Sequence, residues 1–202
     1  MTPTHPTRLG ALAGSMTRSV RGAAMTFSQI VSERVGMSVS HVALADRESL
    51  QRSLCALDEF SGGRLCVVAQ RMRTADGQAA EALLALPEEG ALLIVRRMLG
   101  LADVSDELTE LEQDALAEAG SIVIDACSGG LAGAFGWKVE ATQPRVALSS
   151  RDCAFGVDES LQNALVTHLH IHLSGLRVEG RVVLEMVADT ALPAASPYPL
   201  SA

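Results

Sequence analysis

His41-Val42-Ala43-Leu44-Ala45-Asp46-Arg47 and Arg145-Val146-Ala147-Leu148-Ser149-Ser150-Arg151 are the two stretches on which the fold turns. They lie 104 residues apart (145 − 41 = 104), and the Val, Ala, Leu and Arg positions are identical. One short match can arise by chance, so the flanks must agree. A long helical stretch precedes each copy, over residues 8–34 and 106–135, and Val35 matches Val139 at the same offset. Two runs rich in Val, Leu and Ile follow each copy, at 64–72 and 79–86, then at 164–173 and 177–187. Gly77 and Gly175 mark the turn between the members of each pair. A tandem duplication accounts for all of these features together.

Between the copies, Pro87-Glu88-Glu89 opens a further helix, with proline and acidic residues in its first turn. Arg97 and Gly100 suit its end. The unit is therefore helix, strand, spacer, two strands, used twice. It predicts an α+β domain, a mostly antiparallel sheet with the long helices packed on one side. The expected boundaries are a mobile tail at 1–7, a single domain at 8–189 and a second mobile tail at 190–202. Within the domain, the first repeat covers about 8–87, the linking helix 88–100 and the second repeat 105–189. The spacer at 48–63 carries no clear signal.

Composition narrows the function. The formal charge of −8 argues against nucleic acid, which requires a basic face, and 3% aromatics leave few platforms for stacking bases. Charge or glycine interrupts the apolar runs before a membrane-spanning length is reached, as at Asp125 after Ile122–Ile124. No secretory pattern opens the chain. Cys55, Cys66, Cys127 and Cys153 have no C-x-x-C spacing, and read as reduced thiols of a cytoplasmic protein. No phosphate-binding glycine motif occurs.

The second long helix carries a polar stripe. Taking Asp114 as zero, Glu118 falls at about 40°, Ser121 at about −20° and Asp125 at about 20° around the helix axis. Ala115, Leu116, Ala119, Ile122, Val123 and Ala126 form the core-facing side. Ser105 is the expected N-cap, with Asp106 and Glu107 behind it. The positions 104 residues earlier are Gly10, Gly14, Thr17 and Arg21, a stripe without a carboxylate. By itself such a stripe is usually the wet side of an amphipathic helix.

The spacing adds more. Asp114-x3-Glu118-x2-Ser121-x22-Pro144 resembles the signature of the CheC/CheX/FliY family of chemotaxis phosphatases, Asp or Ser, three residues, Glu, two residues, Asn, twenty-two residues, Pro. The run Leu86–Leu92 resembles the family's strand-to-helix junction before its second motif. Arg21–Gln29 resembles the small-residue stretch of its first motif helix. The resemblance spans about residues 8–187 and includes the duplication.

It implies a protein that binds a phosphorylated CheY-type response regulator and promotes hydrolysis of its aspartyl phosphate. The chain would need no cofactor of its own, because the regulator carries the Mg²⁺ and an active-site Lys. Glu118 would pair with that Lys, and Ser121 would stand where the family's Asn orients the attacking water. Asp114, Asp125 and Pro144 would complete the contact surface. Phosphoryl transfer depends mostly on positioning and charge stabilisation, so a held water is much of what a second protein can add.

Ser121 departs from the pattern, offering one short hydroxyl in place of an amide. Losing a well-placed transition-state donor costs roughly 3–4 kcal/mol, or about 10²–10³ in rate. The first copy has Gly14, Thr17 and Ser40 where the motif has Glu, Asn and Pro, so its site reads as abandoned. The alternative is a non-catalytic module for a receiver domain or a CheD-type deamidase. A flagellar-switch component of related fold is a third reading, against which stands the lack of an obvious appended motor-binding domain.

Two other features remain. His168, His170 and His172 alternate along one strand and share a face. Same-face neighbours on one strand lie about 7 Å apart, so a polar sheet face is favoured over a Zn²⁺ site. Cys127 has no base near it in sequence, and it borders Ser128-Gly129-Gly130, which suggests close packing instead of nucleophilic chemistry.

Overall fold

The computed structural model describes residues 5–58, 64–74, 79–101, 108–135, 139–150 and 163–186. In chain order the elements are α1 (His5–Val31), β1 (Gly36–Ala45), α2 (Arg47–Cys55), a 3₁₀ turn (Ala56–Asp58), β2 (Arg64–Thr74), β3 (Ala79–Pro87) and α3 (Glu88–Leu99). Then follow α4 (Glu110–Phe135), β4 (Val139–Ala141), β5 (Arg145–Ser150), β6 (Asn163–Leu173) and β7 (Leu176–Met186). The strands form one sheet in the order β1-β6-β7-β3-β2, with β4 and β5 both along the outer side of β2. Every pairing is antiparallel.

That order shows the duplication in three dimensions. Exchanging β1 with β5, β2 with β6 and β3 with β7 reverses the order and leaves it unchanged. The two V-A-L stretches occupy the equivalent outer strands. Val42 pairs with Thr167 and Val146 with Val68, so Thr167 and Val68 are equivalent, at an offset of 167 − 68 = 99. The spacer of the second copy is therefore shorter by 104 − 99 = 5 residues. Each copy's first strand also bonds to the second strand of the other copy, so neither completes its sheet alone.

Alternation divides the core in two. On one face Cys66, Val68, Met72, Leu84, Leu165, Leu169 and Val182 meet α1, α3 and α4 through Leu12, Met16, Phe27, Ile94, Leu116 and Ile124. On the other face Leu65, Val67, Leu83, Ala85, Val166 and Val183 meet Leu50, Leu54 and Leu57. The long helices thus lie on one side as expected, and α2 covers the opposite face.

The sequence left α2 unread, although its start is regular. Asp46 is the N-cap, accepting a bond from the Ser49 amide at 2.8 Å, and Leu50 and Leu54 one turn apart are buried. At the N-terminus the expectation of a tail at 1–7 is corrected, because α1 already includes residues 5–7. The expected tail at 190–202, Gly77 and Ser105 lie outside the described residues.

The start of α4 also differs from expectation. It begins at Glu110, not at residue 106, and Thr109 is its cap. Glu112 Oε2 accepts from the Thr109 amide (2.8 Å) and hydroxyl (2.7 Å), while the Glu112 amide donates to Thr109 Oγ1 (3.3 Å). This reciprocal box fixes the first turn. The other oxygen of Glu112 accepts from Arg96 Nε of α3 at 2.8 Å, and both side chains are nearly sealed, 3% and 11% exposed.

Glu112→Ala is expected to cost about 3 kcal/mol in urea unfolding, because it breaks a buried pair and a cap together. Hydrogen bonds from Arg96 and then from Thr109 hold the Glu112 carboxyl below its ordinary value. Its contribution is therefore complete above the ordinary glutamate pKa and lost as pH falls through the depressed one. Glu112→Gln should flatten that acid limb of the stability profile.

Candidate functional site

Helix α4 positions the stripe. Leu116, Ala119, Gly120, Val123, Ile124, Cys127 and Leu131 are buried along its inner side. Asp114, Glu118 and Asp125 are exposed on the outer side, and Ser121 is half-buried among them. Ala115, Ile122 and Ala126, read as part of the core-facing side, are half-buried and pack against that core. The helix is long and apolar enough to cross a membrane, with a mean hydropathy of 1.2, but half of that stretch is buried within this fold.

Close approach holds the helix in place. A Cβ on Gly120 would lie 2.6 Å from both methyls of Val68 on β2. At the crossing with α1, a Cβ on Gly130 would lie 3.0 Å from the Met16 Cα, and Ser15 Oγ donates to the Gly130 carbonyl at 3.1 Å. The packing reading of Cys127 agrees with this. Cys127 is fully buried, and burial pushes its thiol up to about 12, far from a reactive thiolate.

Within the stripe the side chains are coupled. Partial desolvation at the helix surface, and after it the Glu118 charge, raise the Asp125 carboxyl, while the neighbouring Ser121 hydroxyl opposes the rise. Ser121 lies one turn before Asp125, and its hydroxyl oxygen keeps lone pairs for a water. Glu118 stands one turn before Ser121, free to meet a cation on a partner. Leu111, overlooked in the sequence, adds an apolar group 58% exposed and three residues before Asp114. Its signal was the same helical spacing.

Pro144 immediately precedes β5 and is half-buried. Beside it the Thr142 carbonyl accepts from Gln70 Nε2 at 3.0 Å, joining the strand entry to the core of β2. On α1 the equivalent stripe has no carboxylate, and the Thr17 hydroxyl is bonded into its own helix at the Ala13 carbonyl, 2.8 Å away. The three histidines of β6 share the face opposite the long helices. Among the described residues no group of three or more His, Cys, Asp or Glu could hold a metal ion.

No protein-family model matches the sequence, and no curated protein matches it either. Solved structures do. FliY of Thermotoga maritima superposes with a TM-score of 0.71 at 21% identity, over 94% of this chain and 93% of that one. The FliM middle domain of H. pylori gives 0.65 at 13% identity, over 90% and 94%. The FliG–FliM complex from H. pylori gives 0.65 at 14%, over 91% and 96%. At these identities the likeness concerns the fold, and it runs through the whole duplicated sheet and its helices. The chain has the fold of the CheC/CheX/FliY family, in the form it takes in FliY and the FliM middle domain.

Proposed function

We propose that this chain is a chemotaxis protein that docks a phosphorylated CheY-type response regulator through α4 and promotes, slowly, the hydrolysis of its aspartyl phosphate. The observation that supports it is the line of exposed carboxylates, Asp114, Glu118 and Asp125, with Ser121 among them, on one helix and absent from its duplicate. Glu118 is the docking carboxylate, paired with the regulator's lysine. Ser121 takes the water, with Asp125 fixing the direction of its hydroxyl. Asp114 and Leu111 extend the contact toward the start of the helix. The regulator supplies its own Mg²⁺, and the reaction belongs in the cytoplasm.

Glu118→Ala tests this reading. Affinity for the phosphorylated regulator should fall about tenfold or more, since a charge-assisted contact is lost. The regulator's phosphate should then decay at its spontaneous rate. Unchanged affinity and unchanged decay would sink the reading.

A second reading has its own support. FliM is found with FliG in one H. pylori complex and with SpeE in another, so this fold serves as an assembly module. On that reading the chain binds a receiver or a CheD-type partner without chemistry.

A further inference from the structure

The sheet face opposite α1 and α4 carries a cluster that the α4 stripe does not use. Arg181 of β7 lies on this face beside the small α2 core, only 6% exposed. Its Nε donates to Ser53 Oγ of α2 at 3.2 Å and its Nη1 to the Gly180 carbonyl at 3.0 Å. Among the described residues Nη2 has no hydrogen-bond partner, and Arg181 forms no ion pair. Ser53 Oγ also lies 3.4 Å from His168 Nε2 on β6, and the His41 ring of β1 stands edge-on to His168 at 5.3 Å. Strand register brings these groups together: His168 is opposite His41 on one side and Arg181 on the other.

The chemistry of the cluster is one-sided. A guanidinium cannot shed its proton, and a buried charge is ordinarily paired. Beside Arg181 stand the Ser53 hydroxyl and the His168 strand position, with His41 one strand further on. The nearby carboxylate, Glu179, is shared with Arg177 and His170, each at 3.3 Å. On α2 the charged neighbours Arg52 and Glu48 are exposed and face each other at 3.8 Å. The hydroxyl has one proton to give and takes one from Arg181 Nε, so it can donate to Nε2 of neutral His168. In that tautomer the imidazole proton of His168 sits on Nδ1 and adds a second donor to the cluster. In an otherwise acidic chain, this is a concentration of donors around one under-compensated positive charge.

We propose that Arg181, Ser53, His168 and His41 form a binding site for a phosphate-type oxyanion, a free phosphate or a phosphoryl group on a larger molecule. Arg181 supplies the charge through Nη2, and His168 with His41 supplies imidazole donors at the rim. Ser53 holds the guanidinium edge in place. The site is separate from the α4 stripe, on the other face of the sheet, and does not depend on how that stripe works.

The test uses the whole chain and inorganic phosphate, followed by the His ring signals in NMR at constant ionic strength. Burial first, then Arg181 and His41, hold the His168 imidazole down to about 4. The ring signals of His170 and His172, further along the same strand and opposite Glu179 and Arg177 of β7, serve as internal references. Phosphate should shift the His168 and His41 signals saturably and raise the His168 pKa, because an anion offsets the positive charge of Arg181. Chloride should not. Arg181→Met should weaken phosphate binding at least about tenfold.

The stability order of the two proteins supplies an independent check. Without phosphate Arg181→Met should be at least as stable as wild type, because an under-compensated buried charge is gone. Saturating phosphate should stabilise wild type alone. Ser53→Ala, which leaves the charge in place, should weaken phosphate binding severalfold should Arg181→Met fail to fold. Equal shifts with chloride would mean screening only, and would overturn the site. So would an unshifted His168, or a His168 pKa already near its ordinary value, which would show a carboxylate of the chain itself on Arg181. A phosphopeptide that shifts His168 where inorganic phosphate does not would place the oxyanion on a larger molecule and keep the site, whereas one that binds Arg181→Met as well as wild type would overturn it.

Discussion

Replacing Ser121 by asparagine is expected to speed decay of a phosphorylated CheY-type regulator by about 10²–10³ over wild type. Serine reaches less far from the helix, and it has a single proton to offer beside the Asp125 carboxylate. An asparagine offers an amide oxygen and two N–H donors from one rigid plane, so it can orient a water while bonding elsewhere. The effect should appear in the hydrolysis step, with affinity for the regulator little changed, because Glu118 provides the docking charge. Adding Glu118→Ala to Ser121→Asn should return the decay to its spontaneous rate. Binding without acceleration by Ser121→Asn would mean that α4 docks a partner and orients no water. The assembly reading would then stand. Asp125→Ala bears on the same point from the other side, since it removes the carboxylate one turn from the serine hydroxyl.

The features that could be read in the sequence were those with a local period. The V-A-L stretches, the hairpins they precede and the stripe at Asp114, Glu118, Ser121 and Asp125 all follow from spacings of two or 3.6 residues. What escaped depended on partners far along the chain. The helix start was expected at Ser105-Asp106-Glu107, but the cap of α4 is Thr109, boxed with Glu112. Glu112 is bound to the nearly sealed Arg96, sixteen residues away on α3. Helix α2 was hidden because two leucines on nine residues give a weak period, and its burial draws on both copies, on Val67 and Leu83 as well as Val166 and Val183. The crossed pairing, β1 with β6 and β5 with β2, is likewise non-local. The alternating histidines were visible as one face, but Arg181 and Ser53 join them only through register.

Gly120→Ala is expected to destabilise the chain by about 1–3 kcal/mol, although alanine normally favours a helix by about 1 kcal/mol over glycine. The new Cβ would stand 2.6 Å from both methyls of Val68, whose branched side chain is stiff and 1% exposed. Either Val68 is driven from its rotamer or α4 lifts off β2, and both cost packing. At this size such a loss lowers the melting temperature by about 2–4 °C per kcal/mol. Val68→Ala alone should also destabilise, by leaving a cavity. Together the two should be less harmful than their sum, because the added methyl fills the space that the removed ones vacate. Additive losses would mean that the helix does not rest on Val68. Gly120 directly precedes Ser121, so lifting the helix there also shifts the serine against Glu118 and Asp125. Gly120→Ala in the Ser121→Asn background should therefore lose part of the gained hydrolysis, and Val68→Ala should restore it. That coupling ties the close contact beneath α4 to the chemistry on its outer side.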